Sequence, residues 1–253
     1  MTAGETGSRD ESGRAFASRL ASLKKRGSAV LVVGNLRSET YRSACTRMLG
    51  EESAGPRRRL LVATGEGPHL ESGLPADANP PSEHTTLVSG TTEARSTAVE
   101  TGGTVASADD LLGTTDRTHA TADSPEDGVE RVRVDTSELG DLGVAVSKAI
   151  ADFETEVGGL DPAQLRFCFD SLRPLLAEHD EREVFQFLDL LTERVRSVDG
   201  MGHFHLPVAR DTATVRTFAP LFDVVVHLQK RDGRLQQRWE LEESGLSSGW
   251  IPI

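Results

Sequence analysis

Apolar residues along this chain alternate between short continuous runs and helical spacings. Phe16, Leu20 and Leu23 recur at three- and four-residue steps before Gly27, which predicts a helix and its stop. "SAVLVVGNL" is a continuous apolar run ending in glycine, the pattern of a buried strand feeding a turn. From Glu39 to Leu49, Tyr41, Cys45, Met48 and Leu49 share one side of a predicted helix, and "RRRLLVAT" follows as a second strand.

The periodicity fails between Gly65 and Asp127, where Gly, Ser, Thr, Ala, Asp, Glu and Pro dominate. So long a stretch without sustained apolar spacing predicts a flexible insertion. "HTTLVSG" and "GGTVAS" within it hold enough β-prone residues to hide one or two short strands. Order resumes at Val129, Val132 and Val134, a strand. An amphipathic helix from Leu139 to Val157 follows, closed by Gly158 and Gly159. "LRFCFD" predicts the next strand, Glu181 to Val198 a helix and "GHFHLPV" another strand. "DTATVRTFAPLF" reads as a short helix capped by Asp211, and "DVVVHLQK" with "RLQQRWEL" as a hairpin around Asp232-Gly233.

Strands alternating with helices imply an α/β fold, a mostly parallel sheet covered by helices and ending in an antiparallel C-terminal hairpin. The expected organisation is a disordered tail over residues 1–13, a first part of the domain over 14–64, the insertion over 65–127, and the second part over 128–253.

Composition narrows the setting. Forty acidic residues against 28 basic give a formal net charge of -12, which disfavours non-specific attraction to nucleic acid or anionic membrane. Only Lys24, Lys25, Lys148 and Lys230 are lysines, and an acidic, arginine-rich surface suits a salt-rich cytoplasm. No apolar run approaches the length of a membrane span, and the polar start lacks a signal pattern, so the expectation is a soluble cytoplasmic protein.

Candidate chemistry is sparse. Where a phosphate loop would read G-x-x-x-x-G-K-[ST], the chain has "GNLRSETY", Gly34 to Tyr41. Glu39 replaces the second glycine, Thr40 the lysine and Tyr41 the small hydroxyl, so only Gly34, Arg37, Thr40 and Arg42 remain as candidate nucleotide contacts. Asp170 follows a buried strand at the edge where α/β folds present metal-binding or catalytic acids, and it also suits a turn cap. His203 and His205 alternate in a strand and share a face. With Asp170 they are candidate metal ligands, although their spacing fixes no third ligand. Cys45 and Cys168 form no metal-site spacing, and Cys168 between Phe167 and Phe169 reads as a small core residue. The basic clusters Lys24-Lys25-Arg26 and Arg57-Arg58-Arg59 lack interleaved aromatics and read as solvated charge.

"LRFCFDSLRPLL", "EREVFQFLDLLTERVRS", "GHFHLPV" and "TFAPLFDVVVHLQ" together resemble the C-terminal half of the RecA/KaiC-like ATPase core. The whole chain resembles a haloarchaeal protein group related to that core, across Gly27 to Thr64 and Gly128 to Leu241. The resemblance implies a RecA-like three-layer fold and a salt-loving host. In active relatives the phosphate loop binds ATP, a strand-end acid corresponding to Asp170 assists Mg, and subunits assemble. Because the loop lacks its lysine and compact hydroxyl, the expectation is a non-catalytic regulatory or interaction protein without a cofactor. A protein partner or homo-oligomer is expected. The alternatives are a Mg-dependent ATPase using Asp170, with ATP and Mg as cofactors, and a nucleic-acid-associated accessory protein. The apolar tail holding Leu246, Trp250, Ile251 and Ile253 is expected to fold back over its own sheet edge, with docking on a neighbour as the competing reading.

Overall fold

The computed structural model of the protein describes residues 4–36, 38–50, 56–64, 85–91, 121–123 and 129–253. Among them, ten strands form one sheet in the order β10-β9-β8-β1-β7-β6-β2-β3-β5-β4. The strands are β1 (Ser28–Val33), β2 (Arg58–Thr64), β3 (Thr85–Thr91), β4 (Thr121–Asp123), β5 (Val129–Asp135), β6 (Leu165–Phe169), β7 (Met201–Leu206), β8 (Val224–Arg231), β9 (Arg234–Leu241) and β10 (Ile251–Pro252). The seven from β8 through β5 run parallel; β9, β10 and β4 are antiparallel additions at the two edges. The fold is therefore mixed α/β, with a mostly parallel sheet and an antiparallel pair near the C-terminus.

Helices cover both faces. On one face α3 (Leu139–Val157), α5 (Glu181–Ser197) and α6 (Ala213–Phe218) bury Val146, Ile150, Leu188, Val195 and Phe218 against Leu31, Phe167 and Phe204. On the other, α1 (Gly4–Lys25) and α2 (Ser38–Leu49) bring Leu23, Tyr41, Ala44, Cys45 and Leu49 down. Strand alternation explains the division: in β1, Ala29, Leu31 and Val33 face the first layer, whereas Val30 and Val32 face the second. A strand covered on both sides is apolar on both faces over most of its length, and in β1 the buried run Ala29–Val33 is apolar without interruption.

Most boundaries follow local signals. Gly158 ends α3 in the left-handed conformation at φ 71°, and Asp232 and Gly233 turn the β8–β9 hairpin with φ 51° and 76°. A short helix α4 (Arg173–Glu178) precedes α5, whose N-cap is Asp180; the Glu183 carboxylate accepts the Asp180 N–H at 3.3 Å.

Three expectations need correction. α1 begins at Gly4, so helix runs through residues 4–13, assigned above to a tail; the segment contains no proline to prevent it. α6 is capped by Thr212, whose hydroxyl accepts the Val215 N–H at 3.3 Å, and not by Asp211. The stretch 65–127 contributes β3, an inner strand between β2 and β5, at the site of "HTTLVSG". Burial of Leu87 and Val88 holds β3 in the sheet despite its polar flanks. "GGTVAS" lies outside the described residues.

The tail folds back: β10 pairs with β9, and Trp250 meets His227 edge-on at 4.9 Å between ring centres.

Candidate metal centre and the turn after β1

Two places in this framework carry candidate chemistry, and α2 connects them. The first is the turn between β1 and α2, four residues from Gly34 to position 37. Gly34 adopts φ 151°, and a Cβ there would stand 2.5 Å from the Leu228 carbonyl oxygen. The glycine is thus required by the close approach of β8. Its N–H donates to the Val208 carbonyl at 2.9 Å, and its carbonyl accepts the Leu36 N–H at 3.1 Å. The Tyr41 hydroxyl, one turn into α2, donates to that same Gly34 carbonyl. Burial pushes the Tyr41 hydroxyl pKa upward, which keeps it a neutral donor. Arg37 and the side chains of Glu39, Thr40 and Arg42 lie outside the described residues, so Gly34 is the one candidate nucleotide contact whose surroundings are defined.

Asp170 directly follows β6, half-buried, and its N–H donates to the Val62 carbonyl at 2.9 Å. β7 separates β6 from β1, which places the end of β6 two strand spacings, roughly 10 Å, from the end of β1. That gap is wide enough for a metal–phosphate group, but the Gly34 backbone is already bonded within the protein.

The second place is beneath α2. Strand parity sends Phe167 and Phe169 of β6 to the α5 face and Cys168 to the α2 face. In β7, Phe204 and Leu206 likewise face α5, which leaves His203 and His205 under α2. Parallel pairing of β6 with β7 sets Cys168 opposite His203. From above, α2 lowers Cys45 into the same spot. The ligand atoms of Cys45, Cys168, His203 and His205 all lie within 4.8 Å of one another, and all four residues are buried. The two Sγ atoms are 3.0 Å apart, and His203 Nε2 is 3.2 Å from Cys45 Sγ.

Their electrostatics are divided. The hydrogen bond from Cys168 is the largest influence holding the Cys45 thiol well below its ordinary pKa, with His203 adding to it. Burial, then the Cys45 sulfur and the Asp170 charge, push Cys168 well upward. Burial lowers His203, which keeps its imidazole neutral. His205 is 1% exposed, and neither ring nitrogen has a hydrogen-bond partner; its ring packs against Tyr41 at 5.3 Å between centres. At the border of the cluster, Arg166 donates to Met201 Sδ at 2.9 Å, and burial with Arg57 and Arg59 lowers its pKa to about 10.

The sequence placed His203 and His205 on a common face, and the structure does so. It does not complete them with Asp170, since the cluster closes with two cysteines. Cys168 is a core residue, as read, and a member of this cluster as well. His227 stands apart, packed on Trp250. Lys24, Lys25 and Arg26 are exposed, with Arg26 3.6 Å from the exposed Glu243. The second cluster is not solvated charge but is engaged within the chain: Arg57 donates to the Ala163 carbonyl, Arg58 pairs with Glu156 at 3.3 Å, and Arg59 donates to the Gly50 carbonyl. Among the described residues, no helix is long and apolar enough to cross a membrane.

The chain belongs to a family of unknown function, DUF7504, whose sequence profile matches residues 27–228. That span contains β1 with its turn, Asp170 and all four cluster residues. No curated protein matches the chain.

Proposed function

We propose that this DUF7504 member is a non-hydrolysing regulatory or interaction protein built on a degenerate RecA/KaiC-like ATPase core. The observation that carries the reading is the closed turn after β1, where Tyr41 and Val208 occupy the Gly34 peptide groups. A phosphate cradle needs free backbone N–H groups, a lysine and a compact hydroxyl. Here the Gly34 N–H is taken, Thr40 stands in the lysine position, and a buried phenol replaces the hydroxyl. Helices on both faces of a parallel sheet, with an acid ending β6, support the RecA-like part of the reading.

The partner in this proposal is a second copy of the chain. A groove of about 1000 Å³ lies between α3 and α5, with Val144 and Leu190 59% and 73% exposed beside it. Glu138 and Glu183 line the N-terminal end of this groove, and Lys148 lies further along α3. Opposite charges spaced along one face are self-complementary under a twofold axis, which sets each lysine against the other copy's acids. Engagement of Arg57, Arg58 and Arg59 within the chain, together with the formal net charge of -12, weighs against a nucleic-acid role.

Titration of the full chain with ATP, at high potassium and magnesium, tests the nucleotide reading by calorimetry and phosphate release. No turnover is expected. Micromolar binding with steady turnover, abolished in Asp170→Asn, would establish the Mg-dependent ATPase alternative instead.

A further inference from the structure

Four metal-ligating side chains from three elements meet under α2 in a setting that gives them little else to do. Cys45 comes from α2, Cys168 from β6, and His203 and His205 from β7; their exposures are 6%, 0%, 3% and 1%. Each is carried there by its element's regular geometry. Cys45 is one turn after Tyr41 on the buried stripe of α2, and strand parity with the β6–β7 register delivers the other three.

An imidazole buried with both nitrogens unpaired is costly, because the desolvation of its polar atoms goes uncompensated. His205 is in that position. A metal ion at the centre of the four residues supplies a partner for one of its nitrogens and for both sulfurs.

We propose that Cys45, Cys168, His203 and His205 form a structural zinc(II) site that fastens α2 to the two central strands. The ligand set is the first reason. Two thiolates and two neutral imidazoles suit zinc, whereas magnesium and calcium take oxygen ligands. The second is size. With Zn–S near 2.3 Å and Zn–N near 2.0–2.1 Å, the edges of a tetrahedral site are about 3.4–3.8 Å. All four ligand atoms lie within 4.8 Å of one another, close enough to share one ion, and the sulfurs, 3.0 Å apart, move apart by about 0.8 Å to reach the S–S edge of about 3.8 Å. The third is charge. Zinc binding expels the two thiol protons, and Zn²⁺ with two thiolates is neutral, as an apolar surrounding requires. Four protein ligands with no open position mark a structural centre, not a catalytic one. Nothing in this proposal depends on whether the turn after β1 accepts nucleotide, so ATP titration and metal analysis can fail independently.

The full chain, free of any affinity tag that binds metal and kept reduced, is analysed for bound metal and titrated with zinc(II) and cobalt(II). About one zinc per chain is expected. The cobalt form should show tetrahedral d–d bands and a thiolate-to-cobalt charge-transfer band. Cys168→Ser and His203→Gln should each weaken zinc by more than about a hundredfold, beyond what loss of an outer-shell partner costs. A measurement on the wild-type chain alone guards against variants that do not fold: chelation should lower the unfolding midpoint, and zinc but not magnesium should restore it. The proposal is overturned if the folded, reduced chain takes up neither zinc nor cobalt, or if its cobalt spectrum lacks the thiolate band. Stoichiometric copper(I) that zinc cannot replace, or a Cys45–Cys168 disulfide in protein isolated under reducing conditions, would equally overturn it.

Discussion

Cys168 and His203 stand directly opposite each other on the adjacent parallel strands β6 and β7, both beneath α2. The Cys45 side chain of α2 reaches both. The helix is otherwise held on this face by Tyr41, Ala44 and Leu49, a narrower apolar contact than the one α5 makes through Val184, Leu188, Leu191 and Val195. Metal removal should therefore loosen α2 selectively. Hydrogen exchange is expected to accelerate in residues 41–49 on chelation while α5 stays protected. Equal acceleration in both helices would mean that the cluster supports the whole domain, not this helix.

Tyr41→Phe removes the hydroxyl bond to the Gly34 carbonyl without leaving that carbonyl unpaired, because Leu36 still donates to it. The expected loss is about 0.5–1.5 kcal/mol. A denaturation midpoint shifted down at constant m-value checks it, and ATP turnover should remain absent.

Gly90 tests whether β3 is integral to the sheet. A Cβ at this position would stand 2.2 Å from Thr136 Cγ2, with Thr136 itself buried. Gly90→Ala is expected to cost about 1–3 kcal/mol through overpacking. Adding Thr136→Ser deletes the obstructing methyl and should recover most of the loss in thermal unfolding. Absence of any effect from Gly90→Ala would argue that β3 does not hold this position.

Self-association through the α3–α5 groove predicts that Leu190→Glu converts a dimer to a folded monomer in sedimentation at high salt. Lys148→Glu should weaken the dimer as well, by setting like charges together. A wild-type chain that sediments as a monomer at all concentrations rules the pairing out.

His227 makes the C-terminal tail sensitive to pH. Its pKa is lowered, first by burial, with Arg210 and Arg238 lowering it and Glu240 and Asp211 opposing them. The undocked tail leaves a more ordinary histidine, which binds a proton more readily. Docking of Trp250 is therefore complete above the ordinary histidine pKa of about 6.5 and weakens as pH falls through it. Proteolysis of residues 246–253 should rise in mild acid for the wild type and change less for His227→Gln.

Periodicity made most of the fold legible. Tyr41, Cys45 and Leu49 are buried on one side of α2, and Val184, Leu188, Leu191 and Val195 on one side of α5, as their spacing requires. The His203–His205 pair was legible for a similar reason, since parity in a strand is local. Cys45 and Cys168 were not, because 123 residues separate them and only the adjacency of β6 to β7 brings them to the histidines. Each carried half of the signal: Cys45 on a buried helical stripe, and Cys168 on the face opposite Phe167 and Phe169. β3 was legible only as a short strand that "HTTLVSG" could hide, because Leu87 and Val88 are too short a run to stand out among threonine and glycine. Its strand state comes from pairing on both sides, not from local preference.

The placement of β1 between β7 and β8 has a consequence for biosynthesis. Ser28–Val33 leaves the ribosome well before both of its neighbours, which begin only at Met201 and Val224. At ordinary translation speeds the delay is on the order of ten seconds or more. For that interval the most apolar strand of the nascent chain has neither edge paired, so chaperone occupancy and premature termination matter more here than in a protein assembled from neighbouring hairpins. Chains released before about residue 200 should accumulate as aggregates or be degraded, even though the completed protein encloses β1 on every side.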